Sequence, residues 1–220
     1  MKKLIQGILD FRKHCLKDYL KSYSHLHKGQ APDYLLVTCS DSRVAPNIFA
    51  STNPGDVFAI RNVGNIITPY DRKKNIAEGA AIDFALNCLP VKDIIICGHS
   101  DCGAMRAIVS GMKKIPYLHL KNWLACSGCP EKRLRTSPLK KYPKEKQNHL
   151  AQLNVLTQIE NVKSYPIVQE RLFEKKLNIH GWYFDLANGS VYSYEKEFEE
   201  FILIDQKEAK RILKRLRNIF

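Results

Sequence analysis

No run of about 18 or more apolar residues occurs in this chain, so no segment reads as a helix able to cross a bilayer. The N-terminal segment is not expected to be a secretory leader. The opening MKKLIQGILDFRKHCLKDYL begins with lysines, but its apolar segment is short and broken by Gln6 and Asp10, and no small-residue cleavage site follows. It reads instead as an amphipathic helix of the mature chain. Cysteines are seven, at 15, 39, 88, 97, 102, 126 and 129. An odd number without a leader argues against a disulfide framework and for reduced thiols in the cytoplasm. Each thiol is then a candidate for metal binding, catalysis or burial. Internal repeats, low-complexity tracts and a clear domain boundary are also missing, so residues 1–220 are expected to form a single domain.

What is present is an ordinary globular composition, 45% apolar and 26% charged, with a formal charge of +13. Such an excess raises the question of nucleic acid. The positive residues concentrate in 131–146 and 207–217, and in the second segment Ile212, Leu213 and Leu216 fall at helical spacing. Those charges are expected to form the solvated face of a terminal helix, and the basic surface to aid solubility rather than to bind nucleic acid.

Apolar residues at 4, 8, 11, 15, 16, 19 and 23 recur every three or four positions, which predicts a helix over 4–23 within an N-terminal arm, 1–28. YLLVT (34–38), the alternating DVFAIRNV (56–63) and DIIICG (93–98) read as strands, the last buried on both faces of a parallel sheet. Between them, 75–89 carries Ile76, Ala80, Phe84 and Cys88 on one helical stripe, and Cys88 and Cys97 are expected to be buried structural thiols. A charged loop spans 126–146, 147–165 is helical, and 177–195 is a hairpin around Gly189. Strands alternating with helices predict an α/β fold: a mostly parallel central sheet flanked by helices, with a C-terminal hairpin and helix.

Two strands end in chemically unusual residues. The first runs into CSDSR and the third into GHSDCG. In open α/β sheets ligand sites lie beyond the carboxyl ends of strands, which brings Cys39 toward His99 and Cys102. Two thiolates and an imidazole are a known zinc donor set with a fourth position open. HxxC alone is a weak signal; Cys39 at a strand end strengthens it. Other roles for Cys39 stay open on these residues. Arg43 stands too near it for the loop of a cysteine phosphatase. A thiol hydrolase with His99 as base leaves Cys102 without a part. Asp41 and Arg43 can pair bidentately in a turn, either bracing the loop or presenting a carboxylate to the open metal position.

CSDSRVAPN (39–47), PGDVFAIRNVGN (54–65), GAAIDFAL (79–86) and IIICGHSDCGAM (94–105) together resemble the β-class carbonic anhydrases. Looser likeness continues through 154–170 and 179–194. The resemblance implies reversible hydration of carbon dioxide to bicarbonate by attack of a zinc-bound hydroxide, with Zn²⁺ on Cys39, His99 and Cys102 and the dyad Asp41/Arg43 beside it. It further implies a homodimer, or a tetramer or larger, whose N-terminal helices embrace the partner and whose sites lie at the subunit interface. Gln30, Phe58, Val63, Phe84 and Gly103 match the substrate pocket: a hydrogen-bonding amide, an apolar wall and a backbone donor. Leu36 stands where one subgroup has a tryptophan, which together with Gln30 implies the plant-like, open-site type.

Some features fall outside this pattern. Asp101 matches a variable position and reads as a loop residue facing solvent. CSGC (126–129) reads as a surface thiol pair. Hydrolysis of carbonyl sulfide or carbon disulfide on the same scaffold, or a zinc-binding, redox-responsive interaction module, are the alternatives. The second has no need of the Asp41/Arg43 dyad.

Overall fold

The structure, a computed structural model, describes residues 1–74, 76–126 and 134–217. Short apolar runs ended by polar turns form the strands β1 (Tyr34–Cys39), β2 (Val57–Asn62), β3 (Asp93–His99), β4 (Asn178–Asp185), β5 (Ser190–Glu195) and β6 (Glu200–Leu203). They make one sheet in the order β2-β1-β3-β4-β5-β6. The first four run parallel, and β5 and β6 are antiparallel additions. The mostly parallel α/β fold expected from the sequence is therefore the one found. Gly189 has φ +70, as the hairpin requires. The four-residue β6 carries too short a pattern to be recognised in the sequence.

Alternation along the strands sorts side chains to two faces. Leu35, Val37 and Cys39 of β1, with Ile94 and Ile96 of β3, enter the larger core. Leu36, Ile95 and Cys97 point the other way, into a smaller cluster with Phe184. Cys97 is fully buried, and burial pushes its thiol up to about 12, as befits an inert structural cysteine.

The helices are α1 (Lys2–Asp10), α2 (Leu16–Tyr23), α3 (Pro46–Phe49), α4 (Ala77–Cys88), α5 (Gly103–Val109), α6 (Leu118–Ala125), α7 (Lys146–Lys163), α8 (Pro166–Phe173) and α9 (Gln206–Arg217). The arm is not one uninterrupted α-helix, because a π-helical turn over Phe11–Cys15 joins α1 to α2. Its apolar stripe touches no core: Leu4, Ile8 and Leu20 stay at least half exposed. α7 lies against β3 and β4. Gly98 permits that approach, since a Cβ there would stand 2.8 Å from Val155 Cγ2 and 3.1 Å from the Ala151 carbonyl oxygen. Pro166, at the first turn of α8, separates it from α7.

Helix α4 corrects one expectation. It buries Glu78, Ile82, Ala85 and Leu86, so the stripe of Ala80, Phe84 and Cys88 faces outward and Cys88 is exposed. Two stripes of the helix are apolar, and the one carrying Ile82 and Leu86 fits the sheet. Among the described residues, no helix is long and apolar enough to cross a membrane. Helix α6, within a stretch of weak periodicity, was not foreseen either.

Candidate metal centre

β1 and β3 are neighbours in register, Thr38 opposite Cys97, so their carboxyl ends bring Cys39 and His99 side by side. The chain then turns through Ser100 and Asp101 and enters α5 with Cys102 at its N-cap. One ligand atom from each of Cys39, His99 and Cys102 lies within 4.8 Å of the other two, and all three residues are buried.

The imidazole is oriented for coordination. His99 Nδ1 stands 2.8 Å from the Ser100 carbonyl oxygen, an acceptor only, so Nδ1 carries hydrogen and donates it. That leaves Nε2 buried and, among the described residues, without a hydrogen-bond partner. An orphaned buried nitrogen is costly unless something satisfies it. The two sulfurs lie close enough to hydrogen-bond to each other. Cys39 is lowered to about 4, chiefly by the hydrogen bond from Cys102 and also by the one from the Gly64 N–H, against the opposing effect of burial. Cys102, the donor, is pushed up by that bond and by burial. A divalent cation bound here would displace the thiol protons. Two thiolates and a lone imidazole nitrogen are the donor set zinc prefers, so these residues fit that ion.

Asp41 and Arg43 stand beside this group. Arg43 Nη2 and Nε donate to Asp41 Oδ2 at 2.8 Å and Oδ1 at 3.0 Å, and the Arg43 backbone N–H also reaches Oδ1 at 3.0 Å. These bonds hold the Asp41 carboxyl well below the usual range, and they raise Arg43 in turn. Asp41 Oδ2 lies 4.0 Å from His99 Nε2, which makes it a charged acceptor at the edge of the centre.

A cavity of about 300 Å³ opens here, lined among others by Cys39, Asp41, Val63, Gly103, Ala104 and Leu120. Of the pocket residues expected from sequence, Val63 and Gly103 are at this cavity. Phe58 and Phe84 pack on each other with ring centroids 5.8 Å apart and do not line it. Gln30 is exposed in the segment after the arm. A larger groove of about 850 Å³ lies elsewhere, over the side chains of Leu36, Ile95 and Trp182.

Supporting residues escaped the sequence reading. Arg61 donates to the carbonyls of Cys39, Asp41 and Val44, pinning the first ligand turn. Gly64, at φ +84, turns its N–H to Cys39 Sγ at 3.3 Å while Asn154 on α7 holds its carbonyl. Ser100 Oγ donates to Asp185, fixing the other turn to the β4–β5 hairpin. Asp101, read in sequence as a loop residue facing solvent, binds both Arg43 and Arg106. Polar Asn148, Asn154 and Gln158 on α7 were the available signal, because polar residues on a helix packed against a sheet need partners. Cys126 is exposed; Cys129, the other half of CSGC, lies outside the described residues.

Fold and centre together define a metalloprotein whose zinc-type site lies beyond the strand ends of an α/β sheet. Comparison with known proteins agrees. A family model described as carbonic anhydrase matches residues 34–191. The carbonic anhydrase of Synechococcus elongatus is 36% identical over 94% of this chain and 76% of its own length. One from Helicobacter pylori is 33% identical over 94% of this chain and 96% of its own. The solved β-carbonic anhydrase CcaA has a TM-score of 0.84 at 34% identity, covering 94% of this chain and 93% of that one. A structure from work on two tetrameric β-carbonic anhydrases of Sordaria macrospora has a TM-score of 0.71 at 30% identity, over 87% and 96%. This chain belongs to the β-class carbonic anhydrases, a family of zinc enzymes.

Proposed function

We propose that this protein interconverts carbon dioxide and bicarbonate at the Cys39/His99/Cys102 centre. The observation that carries the reading is the buried His99 Nε2, unpartnered among the described residues, beside the Cys39 and Cys102 sulfurs. A zinc ion held there supplies Lewis acidity, which makes hydroxide available from water near neutral pH. Asp41, ionised under the grip of Arg43, is an acceptor only. A water beside it must therefore point a hydrogen at Asp41, which turns a lone pair toward the cavity. Carbon dioxide is apolar, and Val63, Ala104, Ala107 and Leu120 offer it an apolar wall. Attack on its carbon gives bicarbonate and releases one proton.

The remaining pocket residues are proposed to complete the site in a homodimer. Gln30 is then a donor to the developing oxygen charge, Phe58 and Phe84 part of the apolar wall, and Gly103 a backbone donor. The exposed apolar residues of α1, together with Phe84 at 45% exposure, support such a pairing, as do the tetrameric Sordaria relatives. The arm (1–28) and the rest of the chain are taken as one functional domain. We place the protein in the cytoplasm from its several free thiols, and in the open-site type from the Asp41–Arg43 pairing.

The reading is tested by zinc content and stopped-flow carbon dioxide hydration on the wild type and on Cys39→Ala. One zinc per chain and fast hydration in the wild type, with both lost in the variant, support it. Stoichiometric zinc without hydration in the wild type would favour a zinc-binding interaction module instead.

A further inference from the structure

Between the second and third metal donors stands Asp101. Its backbone is left-handed, φ +54, a conformation that costs most residues something and that aspartate tolerates. Asn148 Oδ1 accepts its N–H at 2.7 Å, fixing the peptide. Its carboxylate is shared between two guanidiniums: Arg106 takes Oδ1, and Arg43 Nη1 takes Oδ2 at 3.1 Å. The Asp101 carbonyl accepts Arg43 Nη2, also at 3.1 Å.

Arg43 therefore lies between two carboxylates, and only one of them neighbours the centre. Asp41 follows Cys39 by two residues and has Oδ2 4.0 Å from His99 Nε2, so a modest rotation would bring it to a cation held there. Arg43 holds it in its present place through two side-chain hydrogen bonds. The Arg43 side chain is 49% exposed, and a long cation that open to solvent samples many rotamers unless something fixes it. Asp101 fixes it through Nη1 and through the Nη2 that also serves Asp41. Mutual repulsion of the two carboxylates is screened at this exposure, so orientation rather than charge is what Asp101 contributes.

We propose that Asp101 is a positioning residue that holds Arg43 on Asp41 and thereby keeps the Asp41 carboxylate off the metal, leaving the fourth coordination position free for a small exogenous ligand. This deepens the proposed function and rests on its metal site.

Cobalt(II)-substituted protein and inorganic azide provide a test that does not depend on turnover. Asp101→Gly removes the carboxylate while glycine keeps the left-handed turn; Asp101→Asn retains one acceptor. Azide binding, read from the visible cobalt spectrum, is expected to weaken about tenfold in Asp101→Gly and less in Asp101→Asn. With Asp41→Ala already in place, adding Asp101→Gly should change nothing, because the competing ligand is gone. Azide affinity that is unchanged or tighter in Asp101→Gly overturns the inference. So does a weakening that persists in the Asp41→Ala background, since that marks general damage to the site. A wild type that takes up no cobalt overturns the metal reading itself, and this inference with it.

Discussion

Arg61 on β2 donates from Nη2 to the Cys39 carbonyl oxygen at 2.9 Å, across the parallel register that sets Thr38 against Arg61. The same nitrogen reaches the carbonyls of Asp41 and Val44, each at 2.9 Å, so one guanidinium gathers the turn that presents both Cys39, the proposed metal ligand, and the acidic half of the dyad.

Arg61→Ala leaves three carbonyls of that turn without this donor. Stability should fall by about 1–2 kcal/mol in urea unfolding, and zinc should be lost to a chelator faster than from the wild type. Unaltered zinc release would mean that the turn holds its shape without Arg61.

Metal removal should be felt by the whole fold. The apoprotein keeps a buried His99 Nε2, unsatisfied among the described residues, beside two buried free thiols. At free zinc about 1,000-fold above its dissociation constant, the metal should add about 4 kcal/mol of stability. Cys102→Ser and His99→Ala should abolish most of that difference. Equal melting of the zinc-loaded and chelated wild type would contradict it.

Gly98→Ala tests the approach of α7 to the sheet. The added methyl would stand 2.8 Å from Val155 Cγ2 and 3.1 Å from the Ala151 carbonyl. Overpacking of this kind costs about 1–3 kcal/mol. Val155→Ala in the same chain should recover only part of it, because the clash with the backbone oxygen remains. Full recovery would show that the carbonyl contact is soft.

Glu195 gives the fold a pH dependence away from the metal. Its side chain is 1% exposed, with Arg215 Nη1 at 2.6 Å and Arg211 Nη2 at 2.5 Å. Burial pushes this carboxyl up, but the hydrogen bonds from Arg215 and Arg211 outweigh it and the net shift is downward from 4.5. A carboxyl depressed in the folded state stabilises the fold above its unfolded value, and that contribution is lost as pH falls through the folded value. Glu195→Gln should therefore cost about 1–2 kcal/mol at pH 7, and the gap to wild type should narrow on acidification toward pH 4. A gap that does not change with pH would locate the loss in packing instead.

Much of this architecture was legible in the residues. Continuous apolar runs such as DIIICG announce buried parallel strands, and the polar CSDSR and GHSDCG at strand ends mark the crevice. Less legible were the features set by tertiary context. Helix α4 offers two apolar stripes, and only the packed sheet decides that Leu86 goes in and Cys88 stays out. The apolar stripe of α1 reads as one face of an amphipathic helix, and among the described residues none of it is buried. Asp101 looks like a loop residue in sequence because its partners, Arg43 and the side chain of Asn148, come from distant positions. Arg61 gives no sign in sequence that its targets are backbone carbonyls.

Stopped-flow hydration of carbon dioxide by the wild type and by Asp41→Ala, compared at equal zinc content, tests the central claim most directly. The expected result is rapid hydration by the wild type and a loss of about 100-fold or more in the variant with zinc retained, since the acceptor that orients the attacking water is gone. Full zinc in both proteins with equal rates, or with no hydration by the wild type, would contradict it.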